Sequence, residues 1–415
     1  MLLHDLIFDN EHSSSNRLAL IRGDESLDYA TLGARVNEGA RGLAAVGIRP
    51  GERIGVYLNK RTEGIVAYFA ASAAGAVFVP INPVLKPAQV KHILKDCGVT
   101  ALVTSAPQAA GLQTEFHDCP ALRNLIIVGD DSDEKVSPRH IDRLTWDNVL
   151  ATADSAPMPA RRIDNDIAAI LYTSGSTGRP KGVVLSHRNM VNGAISVASY
   201  IGNVCDDIIL SALPLSFDAG FSQLTTGFRA GAAVVLLDYL VPQDVIKAAA
   251  RFRATGLTAV PPLWNQLIKR DWPPETMESM RYIANTGGAM PTATLKTLRE
   301  RLPKTKVFLM YGLTEAFRST YLPPDEVDRR PTSIGKAIPD AEILVVREDG
   351  TLCEPGEPGE LIHRGALVSM GYWNDPERSA ERFRPAPNQL GELPFEEIAV
   401  WSGDTVVADE AGYLY

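Results

Sequence analysis

A dense cluster of chemistry-bearing side chains lies in Tyr172-Thr173-Ser174-Gly175-Ser176-Thr177-Gly178-Arg179-Pro180-Lys181-Gly182. Four Ser/Thr hydroxyls, three glycines and one lysine fall within eleven residues. Glycines let backbone N–H groups come close to an anion, and hydroxyls add further donors. Lysine adds a compact positive charge. Such a loop suits a polyphosphate. It is not a Walker A loop, which needs Gly-Lys-Ser/Thr where this chain has Pro180-Lys181. Apolar runs at Ile167 to Leu171 and Val183 to Leu185 flank the loop, so the pattern is strand, loop, strand.

Two more segments place polar groups after an apolar strand. Asn285-Thr286-Gly287-Gly288-Ala289 follows Arg281 to Ala284, and Tyr311-Gly312-Leu313-Thr314-Glu315 follows Val307 to Met310. In open α/β sheets, ligands bind beyond the carboxyl ends of strands. Glycine backbone, an aromatic ring, a hydroxyl and a carboxylate therefore converge on one expected crevice.

Strands alternating with helices must position these segments. Helical spacing carries Leu32, Val36, Ala40, Leu43 and Val46, and Gly47 ends that helix. Strands are expected at Arg53 to Leu58, Val77 to Val79 and Thr100 to Val103, with helices at Glu63 to Ala74 and Gln89 to Lys95 between them. From Gln108 to Pro159 the pattern weakens. A second alternating block starts at Ile167, with Ser186 capping a helix that bears Met190, Ala194 and Val197. After Glu315 short strands alternate with Gly/Pro turns, which reads as antiparallel. The expected fold is α/β: two doubly wound, mostly parallel blocks over residues 1–160 and 161–330, and a small β-barrel-like subdomain over 331–415.

Composition excludes several classes. The 415 residues carry a formal net charge of −9, with no general basic field for nucleic acid or an anionic membrane. Cys97, Cys119, Cys205 and Cys353 form no zinc pattern, which suits a reduced cytoplasmic protein. The start of the chain lacks a signal-peptide pattern, and no window is long and apolar enough to span a membrane. The apolar stretch Ile65 to Val79 reads as a buried helix and then a buried strand. His187 reads as a surface residue at a helix start.

On the loop, on Gly287-Gly288-Ala289, Tyr311 to Glu315, Gly335-Lys336, Gly359-Glu360-Leu361, Gly371-Tyr372-Trp373 and Ser402-Gly403-Asp404, the chain resembles the AMP-forming, adenylate-forming enzymes over nearly its whole length. Within that superfamily it looks most like bacterial acyl-CoA ligases associated with exosortase systems. The resemblance implies that Thr173, Ser174, Gly175, Ser176, Thr177, Gly178 and Lys181 hold the β,γ-phosphates of ATP. It implies that Gly287, Gly288 and Ala289 line the adenine, with Tyr311 and Gly312 beside it. Thr314 then donates to the α-phosphate and the substrate carboxylate, Glu315 holds Mg²⁺, and Asp404 accepts from the ribose hydroxyls. Thr314, Glu315 and Lys181 are the expected catalytic residues.

The implied reaction is activation of a carboxylic acid to an acyl-adenylate, with release of pyrophosphate. Thioester formation follows with coenzyme A or, alternatively, with a carrier-protein thiol. A nucleotide-binding accessory protein without turnover is a second class of reading. The acyl pocket is expected near Phe217, Asp218 and Phe221. Phe217-Asp218 resembles the pair found in amino-acid-activating members, where the Asp meets the substrate α-ammonium; Arg229 or Arg318 is the alternative partner. Trp264 reads as core packing. The sequence ends at Tyr415, before the family's Gly-Arg-x-Asp hinge, mobile C-terminal domain and bridging lysine. The expectation is thus a large N-terminal domain that binds ATP and adenylates weakly. A second copy of the chain stands among the partners considered.

Overall fold

A computed structural model describes residues 1–130, 140–173, 180–387, 394 and 396–415. They form two compact units. The first is Met1–Val191 with Pro214–Phe221 and Tyr372–Asn374; the second is Asn192–Leu213, Ser222–Gly371 and Asp375–Tyr415.

The first unit is built on a sheet whose strands run, in spatial order, Asp142–Thr145, Asn124–Ile127, Val99–Thr104, Arg53–Tyr57, Val77–Ile81, Ile167–Thr173 and Lys181–Ser186. All neighbours are parallel except the last pair, which is antiparallel. Parallel strands need covered faces, and their sequences are accordingly almost continuously apolar. Val79, Leu102, Leu125 and Ile170 are fully buried in one cluster. The apolar stretch resolves as expected into the helix Thr62–Ala73 and the strand Val77–Ile81. Asp28 caps the helix Tyr29–Ala45 by accepting from the Thr31 amide at 2.7 Å. Ser186 and Asn189 cap the next long helix, His187–Ile201, reciprocally: each backbone amide donates to the other's side chain.

The sheet shows where strand patterning alone falls short. Ile167–Thr173, read from the sequence as the start of a second block, pairs with Val77–Ile81 of the first. Periodicity marks a strand but carries no information on its neighbour.

The second unit carries parallel strands in the order Ala233–Leu236, Ile208–Ser211, Gly256–Ala259, Tyr282–Asn285 and Lys306–Tyr311, continued by antiparallel Thr320–Leu322 and Lys336–Ala337. A separate antiparallel sheet follows in the order Ala341–Val346, Pro358–Gly365, Ile398–Val407, Phe383–Pro385. Fold class is thus as the sequence indicates: α/β with mostly parallel sheets and a small antiparallel sheet.

One correction concerns His187. It is buried, with 1% of its surface exposed, and its Nδ1 accepts from the Leu3 amide at 3.2 Å. The N-terminal helix Asp5–Ser14 and the buried side chains of Leu2, Leu3, Leu6 and Ile7 account for this. That helix has a weak apolar pattern and was not anticipated. The helix Asp218–Ala230 was missed too, because Gly220, Thr225, Thr226 and Gly227 weaken its propensity signal.

Candidate active site

In the second unit, the ends of two strands, the segment 331–334 and Asp404 build a cavity of about 560 Å³. The strand Tyr282–Asn285 ends in Gly287 (φ +72°) and Gly288 (φ +159°), a conformation that side-chain-bearing residues rarely adopt. A Cβ on Gly288 would sit 3.3 Å from the Pro261 ring, so this turn stays bare and open to the cavity. Asn285 pins it: its buried amide donates to the Gly288 carbonyl at 2.8 Å.

The strand Lys306–Tyr311 delivers Tyr311, half-buried, to the same cavity. Its hydroxyl donates to Asp404 Oδ2 at 2.6 Å, and Asp404 lies on the strand Ile398–Val407 of the small sheet. Burial, and then the adjacent carboxylate, push the Tyr311 hydroxyl well above the ordinary tyrosine range, so it stays protonated and donating. Thr314, Glu315 and Ala316 form one tight helical turn, with Glu315 almost wholly buried and the Ser369 amide donating to its carbonyl at 2.8 Å.

The turn ends in Phe317 at φ +58°, an uncommon conformation for a bulky residue. Ser319 then returns its amide to the Tyr311 carbonyl at 3.1 Å, and its hydroxyl meets His363 Nδ1 at 3.0 Å. His363 is fully buried, and burial lowers its pKa to about 4, so it stays neutral. Neither Phe317, Ser319 nor His363 stood out in the sequence, because their roles depend on partners distant in the chain.

The first unit carries the loop's two ends. Ser174, Gly175, Ser176, Thr177 and Gly178 lie outside the described residues. Thr173 and Lys181 face each other directly in the antiparallel pair, so the hydroxyl and the ammonium stem share one side of the sheet. The Thr173 hydroxyl is buried without a hydrogen-bond partner among the described residues, a donor that an anion could satisfy. Lys181 Nζ donates to the Tyr372 hydroxyl at 2.7 Å and sits 4.2 Å from that ring's centroid. A Cβ on Gly182 would lie 2.7 Å from Ile170, so only glycine fits beside the strand there. The Trp373 amide donates to the Gly182 carbonyl at 2.8 Å. Tyr372 and Trp373 therefore brace the strand that carries Lys181.

Of the residues expected near the acyl group, Phe217 is 45% exposed and Asp218 partly exposed at the start of the helix Asp218–Ala230. Phe221 is fully buried against Phe78 (5.1 Å between centroids), Tyr68 and Phe69, which is the environment of a packing residue. Trp264 is fully buried, its indole N–H donating to the Ala259 carbonyl at 3.2 Å. Among the described residues no group of three or more His, Cys, Asp or Glu could hold a metal alone. A magnesium ion fits only as one carboxylate plus ligand oxygens, the usual manner of Mg²⁺ beside phosphates. Glu315 can supply that carboxylate.

A strand-end cavity with a bare glycine turn, an aromatic ring and a carboxylate lies where open α/β sheets bind their ligands. The chain belongs to the family of AMP-binding enzymes, whose sequence model matches residues 8–373. It is 33% identical over 403 residues to the L-proline–[L-prolyl-carrier protein] ligase of Streptomyces coelicolor, covering 94% of this chain and 73% of that one. It is 28% identical to 4-coumarate-CoA ligase 1 of Narcissus pseudonarcissus, covering 91% of this chain and 70% of that one. Its structure is similar to that of VinN in complex with L-aspartate, with a TM-score of 0.83 at 27% identity over 100% of this chain and 98% of that one. The chain spans only part of its curated relatives, for example 6% of bacitracin synthase 3 from Bacillus licheniformis. These matches do not bear on the finer likeness to exosortase-associated ligases. No helix among the described residues is long and apolar enough to cross a membrane.

Proposed function

We propose that this chain carries the adenylation chemistry of an acid–thiol ligase: a carboxylate oxygen attacks the α-phosphorus of ATP, pyrophosphate leaves, and the acyl group passes to a thiol. The observation that carries this reading is the cavity where Gly287-Gly288, Tyr311 and Asp404 come together. The turn admits a planar base, the Tyr311 ring offers it a face, and Asp404 offers an acceptor to ribose hydroxyls. Thr314 donates to the α-phosphate and the substrate carboxylate, while Gly312 and Ala289 keep the backbone close. Lys181 and Thr173 meet the β,γ-phosphates together with the loop residues between them. Mg²⁺ held by Glu315 would neutralise charge on the phosphates. Such a site acts by positioning and charge stabilisation, not by covalent catalysis.

The acceptor thiol is coenzyme A in this reading, as the name of the coumarate ligase supports. A second reading is an amino acid destined for a carrier protein. It is favoured by Asp218, a carboxylate partly exposed where an α-ammonium could meet it, and by the likeness to the proline ligase. Incubation with ATP, Mg²⁺, hydroxylamine and a panel of carboxylic and amino acids tests both. Hydroxamate and AMP from plain acids support the first, and turnover confined to amino acids supports the second. Nucleotide binding without AMP release across the panel leaves only the accessory role.

A further inference from the structure

We propose that His92 is a positioning residue for Lys181, acting through the Pro180 carbonyl; the inference rests on reading Lys181 as a phosphate ligand. His92 sits on the helix Pro87–Asp96, and its Nε2 lies 3.1 Å from the Pro180 oxygen. A carbonyl can only accept, so Nε2 carries the proton and donates. Pro180 has no N–H, which leaves its carbonyl as the one backbone group through which residue 180 can be held. That carbonyl belongs to the peptide joining Pro180 to Lys181, and its plane sets the direction in which Lys181 leaves the chain.

The same helix face holds the other end of the loop. Asp96 follows His92 by four residues and so projects beside it. Its carboxylate accepts from the Tyr172 hydroxyl at 2.5 Å, and Tyr172 directly precedes Thr173. The His92 and Tyr172 rings meet edge to face at 6.4 Å. The Asp96 carbonyl accepts from Trp373 Nε1 at 3.1 Å and Asn374 Nδ2 at 2.8 Å, and Trp373 in turn holds Gly182. Lys181 is thus flanked by two anchored residues, Pro180 before it and Gly182 after it, and both anchors trace back to one helix. A lysine is a point charge on a flexible stem. Fixing its backbone reduces the freedom lost when the ammonium meets a phosphate, and that gain appears as affinity.

Steady-state ATP–pyrophosphate exchange on His92→Leu, His92→Gln and Lys181→Ala, with thermal midpoints, tests this. His92→Leu removes the donor and is expected to raise KM for ATP about three- to tenfold, the scale of one lost hydrogen bond. Its kcat should stay within about twofold, and KM for the acid should not change. His92→Gln keeps a donor at similar reach and should return KM for ATP to near the parent value. If the Leu variant fails to fold, His92→Asn, whose amide is too short to reach, replaces it. An unchanged KM for ATP in the donor-less variant, or a Gln variant as impaired as Leu, overturns the proposal. If Lys181→Ala leaves KM for ATP unchanged, the phosphate reading itself fails. If Lys181→Ala raises it and His92→Leu does not, only the role of His92 fails.

Discussion

The Tyr311 hydroxyl donates to Asp404 Oδ2 at 2.6 Å across 93 positions of sequence. The contact ties the end of a parallel strand to a strand of the small antiparallel sheet. It occupies one carboxylate oxygen of Asp404 and fixes the orientation of the other. Under the proposed function, Tyr311 is therefore both a platform for the base and the group that aims Asp404 at the ribose. Replacing Tyr311 by Phe keeps the ring and removes the aim. KM for ATP is expected to rise about three- to tenfold with little change in kcat. The preference for ATP over 2′- and 3′-deoxy-ATP should shrink in parallel. An unchanged preference in competition assays would count against the arrangement.

Lys181 rests on Tyr372 by a hydrogen bond and by the ring face. Tyr372→Phe keeps the ring and loses the hydroxyl; Tyr372→Ala loses both. The expected order of KM for ATP is parent, Phe, Ala, with about a tenfold span corresponding to a hydrogen bond plus a cation–π contact. Nucleotide titration by calorimetry checks the order.

Acidification should weaken the first unit. Burial is the largest cause lowering the pKa of both His4 and His187 to about 4, and their rings lie 6.1 Å apart. Asp5 and Asp166 oppose that lowering, while Arg161 and the chain's own amino terminus reinforce it. The unfolded chain takes up these protons as pH falls through about 6.5, whereas the folded chain resists until about 4. Stability from the neutral pair is therefore full above pH 6.5 and lost progressively down to pH 4, on the order of 2–3 kcal/mol per histidine. Thermal midpoints from pH 7.5 to 4.5 should fall, and His187→Gln should flatten the slope. A slope that the substitution does not alter would refute the assignment.

Gly335 adopts φ +88°, and a Cβ there would overlap the Tyr321 carbonyl. Neighbouring backbone offers no room, so Gly335→Ala is expected to destabilise the protein by about 3 kcal/mol or more. Gly350→Ala serves as a comparison. It shares a positive φ (+83°) but has nothing within 4 Å, so strain alone should cost it about 1 kcal/mol. Denaturant midpoints of the two variants separate crowding from backbone strain.

Much of the fold was legible because its strands are apolar and its helices periodic. Thr62–Ala73 and Val77–Ile81 fall within two residues of where the pattern places them. The residues around the cavity were legible as glycines and polar groups after strands, and the family resemblance joined them. Asp404 was legible only through that resemblance, since a Ser-Gly-Asp turn on its own is ordinary. His187 was misread because its burial depends on Leu2 and Leu3, which sit at the far end of the sequence. Asp218–Ala230 was missed because glycines and threonines mask a helix that packing stabilises.

The sequence by itself determined the alternation of strands and helices, the glycines at strand ends and the chemistry of the loop around Lys181. These depend on short-range pattern and on backbone conformations that few residues tolerate. Only the tertiary structure decided which strands are neighbours, that Tyr311 finds Asp404, and that His92 and Asp96 hold the two ends of one loop. Those pairings join residues 76 to 93 positions apart, and local propensity carries no information over such distances. They form because burial of the apolar sheets sets where the backbone runs, and the polar side chains pair where it brings them together.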